Sequence, residues 1–149
     1  MAELGNTRRV YIITKSTGEN GSDVYTALKG EQSNNVNRSA ESIDISDKDS
    51  GAWGNTMSGK KSLNLDITVY ADNKDENQKT LLKAFYKGET IKIFQGKLSD
   101  GNAPTEGELF EAEIMNINDT NDAGAVSTRS MSVASKGAPK LYLDGVVVE

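Results

Sequence analysis

One stretch of the sequence, Ser62 to Gln95, limits what this chain can fold into more than any other. In its first part, five apolar residues occur at every second position, with mostly polar residues between them: Leu63, Leu65, Ile67, Val69 and Ala71. A period of two predicts a strand with one apolar face and one polar face. The apolar face needs a second layer to cover it.

The same stretch continues with a polar turn and a helix, which we predict from about Asp75 to Lys87. Two residue pairs in the turn have the spacing of an N-cap and its reciprocal partner three positions later, namely Asn73 with Glu76 and Asp75 with Gln78. Gly88 follows the helix and can adopt the left-handed conformation that ends helices. Residues 90–95 are again typical of a strand.

The helix has two different faces. Its inner side is predicted to carry four residues, Leu81, Leu82, Ala84 and Phe85. Three lysines recur every four residues on another side: Lys79, Lys83 and Lys87. This basic stripe is either a solvent-exposed face or a contact with acidic residues of a neighbouring subunit.

Composition excludes several classes of function. A chain of 149 residues suits one domain with a real core. It contains no Cys and no His, so it lacks a thiol nucleophile, the commonest general base and the commonest transition-metal ligand. We therefore expect no enzyme, no cofactor and no metal site. The net charge of −5 argues against nucleic-acid binding as the main activity.

The remaining strand patterns predict a mainly β fold, a β-sandwich of two packed sheets with one flanking α-helix. We expect a single domain over residues 1–149, with a flexible N-terminal arm (1–7), a long loop (47–61) and a C-terminal arm (141–149). The N-terminus lacks the apolar core of a signal peptide, and no apolar run is long enough to span a bilayer. Synthesis in a cytoplasm is the expectation.

The loop from residue 47 to residue 61, DKDSGAWGNTMSGKK, is the first candidate for a functional segment, because long loops without secondary structure are usually functional or disordered. Its end, GNTMSGKK, lacks the final hydroxyl residue and the following helix of a phosphate-binding loop. Calcium-loop spacing fails from Asp47 and from Asp119. Trp53 is either a satellite core under the loop or an anchor in a partner's pocket.

Three carboxylates lie on predicted polar strand faces: Asp66, Glu111 and Glu113. Glu111 and Glu113 are two positions apart and share one face, which suits an acid and base pair in principle. An exposed, solvated sheet face explains the same spacing without catalysis.

The run from Ile45 to Phe94 resembles the major tail proteins, or tail tube proteins, of long-tailed bacteriophages. The similarity comprises the DSGAW loop, the GKKS entry into an alternating strand, and the Gln-containing helix with paired leucines and a phenylalanine before a return strand. The resemblance implies a tail-tube-like β-sandwich that assembles into stacked hexameric rings, a conduit for genome delivery in the virion tail.

Implied partners are further copies of the chain, a tape measure protein in the lumen, and tail tip or baseplate and tail terminator proteins. DNA would pass through without specific binding. The implied ring-to-ring contact loop contains Asp47, Asp49, Gly51, Trp53, Gly54, Met57, Gly59 and Lys60. Asp66, Glu111 and Glu113 become lumen-facing candidates, although outward solvent fits them equally, and Lys79, Lys83 and Lys87 become inter-subunit candidates.

A second function is open at this point: a soluble β-sandwich module that binds a ligand such as a carbohydrate. Such modules usually display several exposed aromatic side chains on one sheet. Here three Phe, five Tyr and one Trp are scattered along the sequence, which favours the structural function.

Overall fold

A computed structural model describes residues 8–15, 23–49, 51–98 and 104–148 of the chain. These residues form nine strands and one helix: β1 (Arg9–Lys15), β2 (Asp23–Ala27), β3 (Glu31–Asp44), β4 (Thr56–Tyr70), α1 (Glu76–Lys87), β5 (Ile91–Leu98), β6 (Pro104–Thr120), β7 (Thr128–Ser135), β8 (Lys140–Leu143) and β9 (Val146–Val148). The mainly β class with one helix is confirmed. The predicted arm at residues 1–7 lies outside the described residues.

The strands belong to one antiparallel sheet in the order β2-β1-β5-β6-β7-β4-β3, to which β8 and β9 add beside β6. The long strand β6 joins the two layers that we predicted as separate sheets. Its first part pairs with β5 and β8, and its second part pairs with β7. The sheet curves enough for a side chain of β3 to reach β1, where Glu31 Oε2 accepts from the Val10 backbone N–H at 3.1 Å.

The core lies inside this curved sheet. The alternating apolar residues of β4 are all buried, as their period of two predicted. They pack in one cluster with residues of the other long strands and of the helix, including Val10, Ile93, Phe110, Val133 and Leu81. Leu28, between β2 and β3, closes the cluster next to β1.

The helix confirms the predicted ends but not the whole predicted inner face. Asp75 is the N-cap without a side-chain capping bond, and Gly88 has the left-handed conformation at φ 70°. The buried residues are Asn77, Gln78, Leu81 and Ala84. The prediction for Phe85 was wrong: its side chain is 39% exposed, because the helix lies across the end of the sheet and turns its amides toward strand ends.

Those amides tie the helix to the sheet. Gln78 Nε2 donates to the Tyr70 carbonyl at 2.9 Å, and Asn77 Nδ2 donates to the Ala27 carbonyl at 2.9 Å. Arg129 is only 4% exposed and donates from Nε to Asp119 Oδ1 at 2.7 Å and from NH1 to Gln78 Oε1 at 3.2 Å. Polar contacts therefore position the helix where the sequence pattern predicted only apolar ones.

The predicted loop at 47–61 needs a correction at its end. It is shorter, because Thr56 to Lys61 belongs to β4 and pairs with the end of β3. Residues 31–39 form the first part of β3, an edge strand that pairs with β4 alone. The hairpin is held by backbone pairing to a neighbouring strand, which needs no apolar period of its own.

The predicted C-terminal arm at 141–149 belongs to the sheet as far as residue 148. Tyr142 pairs with Gly107 of β6, and β9 pairs with β8, so that residues 140–148 form a hairpin added to the sheet. Val146, Val147 and Val148 remain exposed on it.

Candidate functional site

A broad polar surface covers the outside of the four-stranded part β3-β4-β7-β6. Directly paired residues point to the same face, so the registers of Asn35 with Asp66, Asp66 with Ser132, and Ser132 with Asn116 define one row across it. Neighbouring rows add small polar side chains: Ser33, Asn37, Ser39, Ser62, Asn64, Thr68, Ser130 and Asn118. We call this surface the polar face.

The three predicted carboxylates lie on this face or at its margin. Asp66 is central: it accepts from Ser132 Oγ at 2.7 Å and from Asn37 Nδ2 at 3.3 Å. Glu113 pairs with Ala134 in the next row, and Glu111 lies two residues before it, opposite Lys92 of β5. The structure therefore brings together three residues that are up to 47 positions apart in the sequence.

The polar face carries no Lys or Arg in the rows just named, which all belong to described strands. Cations lie at the margin: Lys60 and Lys61 precede Ser62 on β4, Lys92 is opposite Glu111, and Lys136 Nζ is 3.7 Å from Glu113 Oε1. Such a surface forms hydrogen bonds with water but offers no site for counterion exchange with phosphates.

Two strand edges bound the polar face. β3 is the last strand of the order and pairs only with β4. β5 covers β6 only as far as Ala112, which leaves residues 113–120 of β6 with β7 on one side alone. Within the described ranges, no strand occupies either free side. Free edges of this length are templates for pairing with another chain.

The β3–β4 hairpin extends beyond the sheet, and the predicted contact loop is its tip. Trp53 is 86% exposed, so the described chain forms no satellite core around it. Asp47 and Asp49 lie in the tip, and Gly51 has a positive φ of 69°. The remaining candidates lie after the turn or on the first residues of β4, where Met57 and Lys60 are exposed: Gly54, Met57, Gly59 and Lys60.

Asp44, the last residue of β3 before the tip, has a lowered pKa. The hydroxyl and the backbone N–H of Ser46 are the cause, and the backbone nitrogen of Ser46 lies 2.8 Å from Asp44 Oδ1. A hydrogen bond to the charged form favours that form.

The basic stripe of the helix lies apart from the polar face. Lys83 and Lys87 are exposed, and Lys79 is half-buried with its Nζ 3.5 Å from Glu76 Oε1. Tyr86 is 82% exposed beside them. The geometry is compatible with both interpretations of the stripe.

Sequence reasoning missed most of the polar face. The signal was present as the alternation of Ser and Asn with Val and Arg in residues 33–39, but these residues have low strand propensity. In the described ranges, no group of three acidic, His or Cys side chains has the arrangement of a metal site. No helix of the described chain has the length and apolar character needed to cross a membrane.

A curved β subunit with a polar face that has no Lys or Arg in its rows, two free edges and a protruding hairpin has the features of a structural protein that associates with copies of itself. Comparison with protein families identifies the group: the chain belongs to the phage tail tube proteins, whose family profile matches residues 6–140. This is a family of structural virion proteins of the phage tail. A search of curated proteins finds no match.

Solved structures support the same fold. The chain is similar to the tail of an empty gene transfer agent particle refined with C6 symmetry, with a TM-score of 0.75, 16% identity, and coverage of 94% of this chain and 98% of the other. It is also similar to the SPP1 tail tube, with a TM-score of 0.71, 15% identity, and coverage of 95% and 81%. A chain of the anti-feeding prophage baseplate gives a TM-score of 0.68 at 9% identity, with coverage of 98% and 99%.

Proposed function

We propose that six copies of this chain form a ring, that rings stack into the tail tube, and that the polar face lines the lumen. The observation that carries the proposal is the polar face itself, which has no Lys or Arg in its rows and a free strand edge on each side. The family and the C6 symmetry of the similar gene transfer agent tail support the ring size.

Ring closure follows from the two free edges. They are different strands at opposite sides of the same four-stranded unit, so the free side of β3 in one copy can pair with residues 113–120 of β6 in the next. Such a head-to-tail contact is heterologous and closes into a ring when the rotation per subunit divides the circle. The four strands of each copy then continue one barrel around the lumen.

The lumen must let DNA slide. A wall with exposed lysines would bind phosphates through counterion release, whereas hydroxyl and amide groups with a few carboxylates do not. Asp66, Glu111 and Glu113 make the charge of this wall negative. Six copies of net charge −5 give each ring a net charge of −30, and the resulting electrostatic field repels DNA.

The remaining roles are part of the same proposal. The hairpin tip makes ring-to-ring contacts, and the residues around Lys83 contact a neighbouring subunit. A tape measure protein fills the lumen before infection, and a tail tip or baseplate and a terminator close the two ends. The chain has no catalytic activity, and it is made in the cytoplasm of the host bacterium.

Negative-stain microscopy over a range of concentrations tests the assembly. Purified protein, with a tail-tip nucleus if needed, is expected to give six-fold rings or tubes with a central channel. Isolated particles under every condition would show that the proposal is wrong.

Hydrogen exchange with mass spectrometry tests the edge pairing. Peptides from the free side of β3 and from residues 113–120 are expected to gain protection in tubes compared with free protein. A β5 peptide covering residues 91–98 is the control, because β5 already pairs with β1 on one side and with β6 on the other. Equal exchange of the two edge peptides in both states would contradict ring closure through these strands.

A further inference from the structure

A cavity of about 820 Å³ opens at the base of the β3–β4 hairpin, where the hairpin meets the connection between β7 and β8. Its walls are mainly apolar and include Leu63, Pro139 and Leu141. Lys60 and Lys61 lie at its rim. An apolar cavity with a basic rim suits a large apolar side chain with acidic neighbours.

The charges at the rim are not balanced within the described part of the chain. Arg38 is neutralised by the buried Glu108, to which it donates from both Nε and NH2. Lys60 and Lys61, by contrast, form no ion pair with any described residue. The cavity lining therefore carries two positive charges that no described carboxylate balances.

The hairpin tip carries negative charge and an exposed aromatic side chain. Trp53 is the only Trp of the chain, it is 86% exposed, and its indole N–H is a donor only. Residues 44–55 contain three aspartates and one lysine, with Asp47 and Asp49 close to Trp53 in the sequence. An exposed indole among carboxylates therefore complements an apolar cavity among lysines.

A tip cannot reach the cavity of its own chain. Lys60 and Thr56 are four residues apart on β4, which separates them by about 13 Å at 3.3 Å per residue. Trp53 lies beyond Thr56, and the paired backbone of β3 and β4 keeps the hairpin extended away from the cavity. Any tip found in this cavity must come from another molecule.

We propose that the cavity is the receptor for Trp53 of a second copy of this chain, with Asp47 and Asp49 of that copy paired to Lys60 and Lys61. This inference rests on the proposed function, since it assigns the partner surface of the contact loop. Trp is over-represented among residues that dominate binding when they fill a partner's pocket. The contact gives each copy one tip and one receptor.

Site-specific cross-linking tests the contact, and the absence of native cysteines makes it unambiguous. Ala52→Cys with Ala138→Cys in one chain places thiols beside Trp53 and at the cavity, and both positions are exposed. Oxidation of assembled protein is expected to give a ladder of disulfide-linked multimers. Ala52→Cys with the exposed Val126→Cys is the matched control and is expected to give none.

Two measurements on assembly itself accompany the cross-link. Trp53→Ala is expected to raise the critical concentration at least about 10-fold, as for a pocket-filling anchor. Lys60→Glu with Lys61→Glu is expected to block assembly, and adding Asp47→Lys with Asp49→Lys is expected to restore it. These side chains are exposed, so folding of the free protein should be unchanged by circular dichroism.

The outcomes separate this inference from the proposed function. Tubes that form with no ladder, or with a ladder equal to the control, would overturn the receptor assignment alone. A ladder from Val147→Cys with Ala138→Cys in place of the expected one would assign the cavity to the C-terminal hairpin of a second copy and overturn the inference as well. Wild-type protein that never forms rings or tubes would overturn both.

Discussion

Two facing glycines in β5 and β6 give the sharpest prediction for the stability of the subunit. Gly96 pairs with Gly107, and their φ angles are 148° and 138°, in a region that L side chains rarely adopt. A Cβ added to Gly96 would lie 2.0 Å from the Glu106 carbonyl oxygen, and one added to Gly107 would lie 2.1 Å from that of Gln95. Both contacts are with backbone, which cannot rotate away.

Gly96→Ala and Gly107→Ala are therefore expected to be strongly destabilising. The backbone conformation costs about 1–3 kcal/mol, and forcing two strands apart costs about 1–3 kcal/mol more. The total of about 2–6 kcal/mol is a large part of the ~5–15 kcal/mol that holds a domain of this size together. It corresponds to a fall of about 6–18 °C in Tm, at about 3 °C per kcal/mol for a chain of this length.

Gly124→Ala is the matched control. Gly124 also has a positive φ, 79°, but nothing lies within 4 Å of an added Cβ. Its replacement should cost only about 1 kcal/mol. Urea unfolding followed by far-UV circular dichroism measures all three variants. A Gly96→Ala protein as stable as Gly124→Ala would refute the close approach of β5 and β6.

Three further predictions concern charge. Arg129→Met should lower the free energy of unfolding in urea by about 3 kcal/mol, because it removes a buried guanidinium bonded to Asp119 and Gln78. The control Lys136→Met replaces an exposed side chain and should cost under about 1 kcal/mol. Equal losses in the two variants would contradict the stabilising role of Arg129. Asp66→Lys tubes should retain labelled DNA in low salt and release it in high salt, unlike Glu89→Lys tubes, in a pelleting assay; equal retention would place Asp66 outside the lumen. Lys83→Glu with Lys87→Glu should lower tube yield in sedimentation without changing monomer stability, and an unchanged yield would favour a solvent-exposed stripe.

The sequence alone determined the local elements of this protein. The alternation from Leu63 to Val69 specified the buried face of β4, because a strand places every second side chain on one side. Gly88 specified the C-terminal end of the helix, because its left-handed conformation lets its backbone N–H bond to the last carbonyls. The N-terminal end lies at the predicted Asp75, although no side-chain capping bond forms there. The family resemblance, carried by the run from Ile45 to Phe94, specified the type of assembly.

Only the tertiary structure decided which strands are neighbours. The sequence placed Asp66 and Glu113 on the polar faces of two strands but did not determine whether those faces form one surface. They do, because β7 pairs with both β4 and β6. The same holds for the strand at residues 31–39, which has few apolar residues and is held by its pairing with β4. Pairing between strands joins residues far apart in the chain, so no local period encodes it. For that reason the sequence predicts the ends of the helix, but it does not predict the polar face, its free edges or the cavity.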